Sequence, residues 1–155
     1  MSLAIVPGDL LEAPERYIGH QCNCVTVGRA AGLAKAVFAK YPYADTYAQR
    51  KEPSVPGSYS LHGNGKDERY IVNLYAQYHP GKAKKGSDTK DERLQWLIAS
   101  LDRFVRERKP PSLALPYSIG CGLAGGDWDS YQVALTKFAD ERELNILLYR
   151  VLTSK

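Results

Sequence analysis

Two glycine-rich segments, each placed where an apolar strand ends and a helix is due to begin, constrain this chain more than anything else in it. The first, Gly28-Arg29-Ala30-Ala31-Gly32-Leu33-Ala34, follows Tyr17-Ile18-Gly19-His20-Gln21-Cys22-Asn23-Cys24. The second, Ser118-Ile119-Gly120-Cys121-Gly122-Leu123-Ala124-Gly125-Gly126, follows Ser112-Leu113-Ala114-Leu115-Pro116. Glycine lets backbone N–H groups turn toward a ligand with no Cβ in the way. A helix start adds unpaired N–H groups and the positive end of a dipole. Two such loops in one small domain suit two anionic groups held side by side, as in a diphosphate, and hence a nucleotide-type ligand.

The rest of the pattern alternates strands with helices. Leu3 to Val6 reads as a short strand ended by Pro7-Gly8, and Tyr17 to Cys24 as a second. Ala30, Leu33, Ala34, Val37, Phe38 and Tyr41 recur at helical spacing. Pro42 stops that helix by pushing Tyr41 out of the helical region. A short helical stretch covers Ala44 to Gln49. Ser58 to Leu61 and Tyr70 to Tyr75 read as a strand pair joined around Gly63-Asn64-Gly65, and Gly81 to Asp88 as a polar loop. Thr89-Lys90-Asp91-Glu92 has the form of a capping box. The apolar stripe Leu94, Leu97, Ile98, Leu101, Phe104 and Val105 behind it makes a helix that Lys109-Pro110-Pro111 stops. Leu113 to Leu115 is a buried strand. Tyr131, Leu135 and Phe138 mark a helix capped by Asp127 or Asp129, and Leu144 to Val151 is the last strand. This alternation predicts an α/β fold, a three-layer α/β/α sandwich around a mixed sheet, as one domain over residues 1–155. Ligands of such sheets bind beyond the carboxyl ends of strands, where both glycine loops lie.

Composition narrows the function classes. A formal charge of +4 suits an anionic ligand without being the footprint of a nucleic-acid binder. The densest basic stretch, Lys82, Lys84 and Lys85, reads as a solvated loop, with a polyanion contact as the weaker alternative. No apolar run approaches the about 20 residues of a membrane span, and the first residues carry no signal-peptide pattern. Three cysteines, an odd number, point to a reducing compartment, cytoplasm or nucleus, and a monomer is expected. His20, Cys22 and Cys24 would share one face of a strand. Paired metal-ligand spacings are lacking, so the cysteines read as small buried core thiols, and no metal or cofactor is expected.

Four glycines in seven positions, 120 to 126, exceed what a turn requires, so the second loop is the stronger signal. It is not a Walker loop, and the first is not the G-x-G-x-x-G of a dinucleotide fold. Taken together, Gly8-Asp9-Leu10, the strand ending in Asn23 and the two loops resemble the macro domain family along nearly the whole chain. His20-Gln21-Cys22-Asn23 and Pro116-Tyr117-Ser118-Ile119-Gly120-Cys121-Gly122-Leu123 look most like the branch of ADP-ribose-1″-phosphate phosphatases and single-domain ADP-ribosyl hydrolases.

That resemblance assigns roles by position. Asp9, with Leu10 beside it, would meet the adenine amine, and Tyr149 would stack on the base. Gly28, Ala31, Gly32 and Leu33 would pass close to the distal ribose and phosphate. Ser118, Ile119, Gly120, Cys121, Gly122 and Leu123 would cradle the diphosphate through backbone N–H groups. Asn23 would bind the distal ribose or the attacking water. His20 and Asp127 would serve as acid or base. Each of these has a plainer reading: Asp9 braces its own turn, Tyr149 and His20 belong to the core, and Asp127 caps a helix.

One departure bears on mechanism. Hydrolases of this branch that form a lysine adduct carry a lysine near the end of the strand that here reads Ile71 to Gln77, where Ala76 or Gln77 stands. Where they place an acid after Gly-Cys-Gly-Leu, this chain has Ala124, and Asp127 is the nearest acid. The resemblance therefore implies water attack on ADP-ribose-1″-phosphate. The alternatives are a non-catalytic ADP-ribose reader, or a hydrolase removing ADP-ribose from acidic side chains of ADP-ribosylated protein.

Overall fold

The computed structural model describes residues 3–151. Six strands form one sheet: β1 (Leu3–Pro7), β2 (Tyr17–Asn23), β3 (Tyr59–His62), β4 (Tyr70–Gln77), β5 (Ser112–Pro116) and β6 (Asn145–Arg150), in the order β1-β6-β5-β2-β4-β3. All neighbours are parallel except β3, which runs antiparallel to β4. The sheet is therefore mixed, and the predicted strand pair is its antiparallel edge. Helices α3 (Lys90–Arg108) and α4 (Trp128–Arg142) cover one face, burying Leu97, Leu101, Phe104, Leu135 and Phe138 against Val72, Leu74, Leu113 and Leu148. Helix α1 (Gly32–Lys40) and the single turn α2 (Thr46–Gln49) cover the other, packing Val37, Phe38 and Tyr47 on Ile18, Cys22, Ile71 and Tyr75. This is the three-layer sandwich that the alternating pattern implies. Two 3-10 turns, Leu10–Glu12 and Pro42–Ala44, have no counterpart in the periodicity.

The capping box forms as the sequence predicts. Thr89 Oγ1 accepts from the Glu92 N–H and the Glu92 carboxylate accepts from the Thr89 N–H, both at 3.1 Å. Just before it lies a buried ion pair. Arg93 Nε donates to Asp88 Oδ1 and Nη2 to Oδ2, each at 2.8 Å, with both side chains at most 2% exposed. Buried charges persist where every lone pair and N–H is used. The same carboxylate also accepts from the N–H groups of Tyr78 and His79, while Arg93 reaches the carbonyls of His79, Gly81 and Ala124. One side chain thus fixes the β4–α3 connection and one end of the second glycine loop. Burial alone would push the Asp88 carboxyl up, but Arg93 and the two amides outweigh it and hold it below its ordinary range.

His20 corrects a sequence expectation. It is fully buried on the α1 face of β2, edge-on to Phe38 at 5.4 Å, with Nε2 2.7 Å from the Asn73 amide oxygen. Burial lowers its pKa to about 4, against the opposing effect of the Asn73 bond. The imidazole is a satisfied core group, and acid–base work on a ligand is not open to it. Asn73 in turn donates to the Ala44 carbonyl, tying β4 to the 3-10 turn above.

Two outcomes follow from this core. Arg93→Met leaves the Asp88 carboxylate buried without its counter-charge, and urea denaturation at neutral pH should read a loss of about 3–5 kcal/mol. The second concerns protons. The imidazole of the unfolded chain is protonated near pH 6.5 but the buried one only near 4, so this contribution is complete above 6.5 and is lost as pH falls toward 4. Urea titrations across that window should show His20→Gln to be less pH-sensitive than the parent by about 1.4 kcal/mol per pH unit. Equal slopes would refute the assignment.

Candidate ligand-binding cleft

At the carboxyl ends of β2, β4 and β5 lies a cleft of about 580 Å³. Its walls are the two glycine loops, and its floor is made by Gln21, Asn23 and Gln77 with Tyr47 behind. A register shift between Cys22 and Asn23 pairs Asn23 with Gln77 and bends β2 where it enters the site. Bulges at such positions re-aim side chains.

The first loop is shaped by Asn23. Its Oδ1 accepts from the N–H groups of Val25 at 3.0 Å and Thr26 at 2.8 Å, turning the chain sharply out of the strand. Arg50 braces that turn from outside, donating to the carbonyls of Asn23 and Thr26. The chain then enters α1 through Ala31, which offers no side-chain cap. The first-turn N–H groups of Gly32, Leu33 and Ala34 are therefore unpaired, and these residues line the cleft. Gly32 has a φ of +59°, and a Cβ there would stand 2.8 Å from Leu123 Cδ1 of the facing loop.

The second loop leaves more donors free. Cys121, Gly125 and Gly126 donate to carbonyls within it, whereas Ser118, Gly120, Gly122, Leu123 and Ala124 find no acceptor among the described residues. Gly120 is required by space and by conformation. Its φ is +77°, and a Cβ would lie 2.5 Å from the Tyr131 ring. Ser118 also adopts a positive φ, +64°. Two rows of unpaired amides thus face each other across one cleft, a ready site for anionic oxygens.

The floor is polar and uncharged. Gln77 Nε2 donates to the His79 carbonyl at 2.9 Å, which fixes that amide's orientation. Gln77 Oε1 then accepts from Gln21 Nε2 at 2.7 Å, leaving Gln21 Oε1 with no partner. Among the described residues, no Asp, Glu, His, Lys or Cys lines the cleft, and Arg29 is its one charged side chain.

Of the residues singled out in the sequence, the structure brings Asn23, Ala31, Gly32, Leu33, Ser118, Ile119, Gly120, Gly122 and Leu123 together as lining. Others stand elsewhere. Gly28 belongs to a neighbouring hollow on the outside of the first loop. Cys121 turns away, its thiol pushed up to about 11 by burial and by Asp127. Leu10 is buried in the core beneath α1. Asp9 is exposed and accepts from the Leu11 N–H at 3.0 Å, so it caps the first 3-10 turn. Tyr149 packs on the same core and donates to Glu15 Oε1 at 2.6 Å. Burial and Glu15 push that hydroxyl up to about 12. Asp127 is exposed at the N-cap position of α4, makes no side-chain cap bond, and accepts from the Ser130 hydroxyl at 2.8 Å. Helix α4 contributes no lining residue, so the second loop acts through its own amides. Sequence reasoning gave no cleft role to Gln21, Thr26, Arg29, Tyr47 or Tyr117. The one available signal was adjacency, since each is within a few residues of a polar strand end or a glycine loop, except Tyr47.

No family model matches this sequence, and no curated protein does. Solved structures do. The macrodomain of Mycobacterium tuberculosis DarG is 24% identical, with 95% of this chain and 96% of that one covered at a TM-score of 0.71. The macrodomain of Thermus aquaticus DarG is 22% identical, with 98% of each chain covered and a TM-score of 0.71. An Oceanobacillus iheyensis macrodomain solved with ADP is 17% identical over 98% of this chain and 84% of that one, at a TM-score of 0.70. A variant of it has been solved with ADPR (18% identity, coverage 98% and 86%, TM-score 0.67). These likenesses run over nearly the full length of this chain: it has the macrodomain fold.

Proposed function

We propose that the cleft binds the ADP-ribose moiety, free or attached to a protein. The observation that carries this reading is the pair of facing amide rows, whose N–H groups suit the oxygens of a diphosphate. The macrodomains solved with ADP and ADPR support it by analogy of fold. Asn23 Nδ2 and Gln21 Oε1 offer the floor a donor and an acceptor, as the hydroxyls of a distal ribose require. Pro116, Tyr117 and Ile119 add apolar surface to the same lining.

With His20 in the core and no ionisable base among the lining residues, this geometry favours recognition without turnover. A second reading, hydrolysis of ADP-ribose-1″-phosphate to ADP-ribose and phosphate by water attack, rests on Asp127. Its exposed carboxylate follows the second loop and is oriented by Ser130. A hydrolase acting on ADP-ribosylated acidic side chains would use the same cleft.

Calorimetric titration with ADP-ribose tests the shared premise, and phosphate release from ADP-ribose-1″-phosphate separates the readings. Binding is expected, and Gly120→Val, which drives a side chain into Tyr131 at a positive φ, should weaken it at least about tenfold, through strain of 1–3 kcal/mol or more. Binding without phosphate release leaves the reader. Release that disappears in Asp127→Ala would establish the hydrolytic reading, and no binding at all would overturn both.

A further inference from the structure

The first glycine loop is anchored by one short stretch of chain. Residues 24–31 have no regular structure. Tyr47, in α2, and Arg50, directly after it, hold four backbone groups of the segment that leaves β2. The Tyr47 hydroxyl accepts from the Asn23 N–H at 2.7 Å, and the Tyr47 carbonyl from the Gly28 N–H at 2.9 Å. Arg50 Nη2 donates to the Asn23 carbonyl at 3.2 Å and Nη1 to the Thr26 carbonyl at 2.9 Å.

The guanidinium is itself held in place. Nη2 also donates to Ser54 Oγ at 3.0 Å, and the group lies over the rings of Tyr47 and Tyr75, 5.1 and 5.9 Å from their centroids. It forms no ion pair among the described residues. Its charge is felt nearby: burial pushes the Tyr47 hydroxyl and the Cys22 and Cys24 thiols up, and Arg50 works against burial at all three.

The turn out of β2 is thus pinned from two sides. Asn23 Oδ1 holds the N–H groups of Val25 and Thr26 from within, and Arg50 holds two carbonyls from outside. A trans peptide points its N–H opposite to its C=O. Fixing the Thr26 carbonyl on Arg50 therefore turns the Val27 N–H away from Arg50, and that N–H finds no acceptor among the described residues. A loop that becomes ordered only on binding lowers affinity by the entropy of ordering it. The planar fork of arginine spans both carbonyls at once, whereas lysine brings a single point charge.

We propose that Arg50, which does not line the cleft, is a positioning residue for ligand binding, its fork setting the first loop in the shape that receives the ligand. This rests on the reading of the cleft as an ADP-ribose site. It concerns affinity alone, and it holds for a reader and for a hydrolase.

The test is calorimetric titration of wild type, Arg50→Met and Arg50→Lys with ADP-ribose, beside the backbone amide spectrum of each free protein. Arg50→Met keeps a stem over the two rings and removes the fork, and it should bind about tenfold more weakly, the worth of a charge-assisted hydrogen bond. Arg50→Lys keeps the charge and should still bind at least about threefold more weakly than wild type. Amide shifts should change from Asn23 to Gly28 and stay constant at Gly120 and Leu123. If Arg50→Met does not fold, Arg50→Lys alone carries the test. Wild-type affinity in Arg50→Met would overturn the role of Arg50. Full affinity in Arg50→Lys would overturn it too, by reducing it to general attraction of an anion. Equal changes at Gly120 and Leu123 would overturn it as a loosening of the whole protein. In each of these cases the ADP-ribose site stands, whereas failure of wild type to bind would overturn the site and this role with it.

Discussion

The Arg93–Asp88 ion pair is the contact on which the shape of the cleft depends. It couples three segments of the chain at one point. These are the chain just beyond β4 at Tyr78 and His79, the polar stretch around Gly81 and Lys82, and the second glycine loop at Ala124. A loop rich in glycine is costly to order, because glycine loses the most backbone freedom on folding. A charged side chain with each donor directed at a carbonyl or carboxylate offsets that cost at one point. Inside the protein such bonds act in a low dielectric, which strengthens them while they are complete and penalises any that is missing.

The cleft itself works by the opposite principle, with almost no charge on its side chains. The anion affinity proposed for it rests on amide dipoles whose positions are set by helix geometry, by Asn23 at the first loop and by the packing of Gly120 on Tyr131 at the second. Amides do not titrate, so the walls present the same field across the range in which side-chain carboxylates and imidazoles change state. They also attract less water than a row of lysines would, and a ligand therefore displaces less on entry. Buried polar groups on the floor add direction. Gln77 is anchored by the His79 carbonyl and anchors Gln21 in turn, so the free acceptor at Gln21 Oε1 is set through Gln77.

Much of this was legible in the sequence because it rests on local signals. The capping box of α3, its apolar stripe, the glycine loops and the parallel strands before them all depend on short-range spacing, and each forms where expected. What was not legible depends on which neighbour wins. Alternation places His20 and Cys22 on one face of a strand, but only the docking of Phe38 decides that this face is a core. Asp9 and Asp127 carry the same sequence signal as binding or catalytic acids, and the structure shows Asp9 spent on its own turn. The shift in register at Asn23 leaves no trace in hydropathy, yet it sets where the floor begins. Tyr47 reaches the site from a single helical turn that belongs to neither loop, its hydroxyl accepting from the Asn23 N–H at 2.7 Å.

A wall made of main-chain amides makes few demands on the identity of the residues that carry it. Apart from a handful of positions where a Cβ would collide, such as Gly32 and Gly120, side chains along both loops can change without altering the groups that meet the ligand. Sequences built around such a site are free to diverge while the chemistry of the site stays constant. Likenesses of 17% to 24% identity, over nearly the full length of this chain, show how far sequences diverge while the fold is kept.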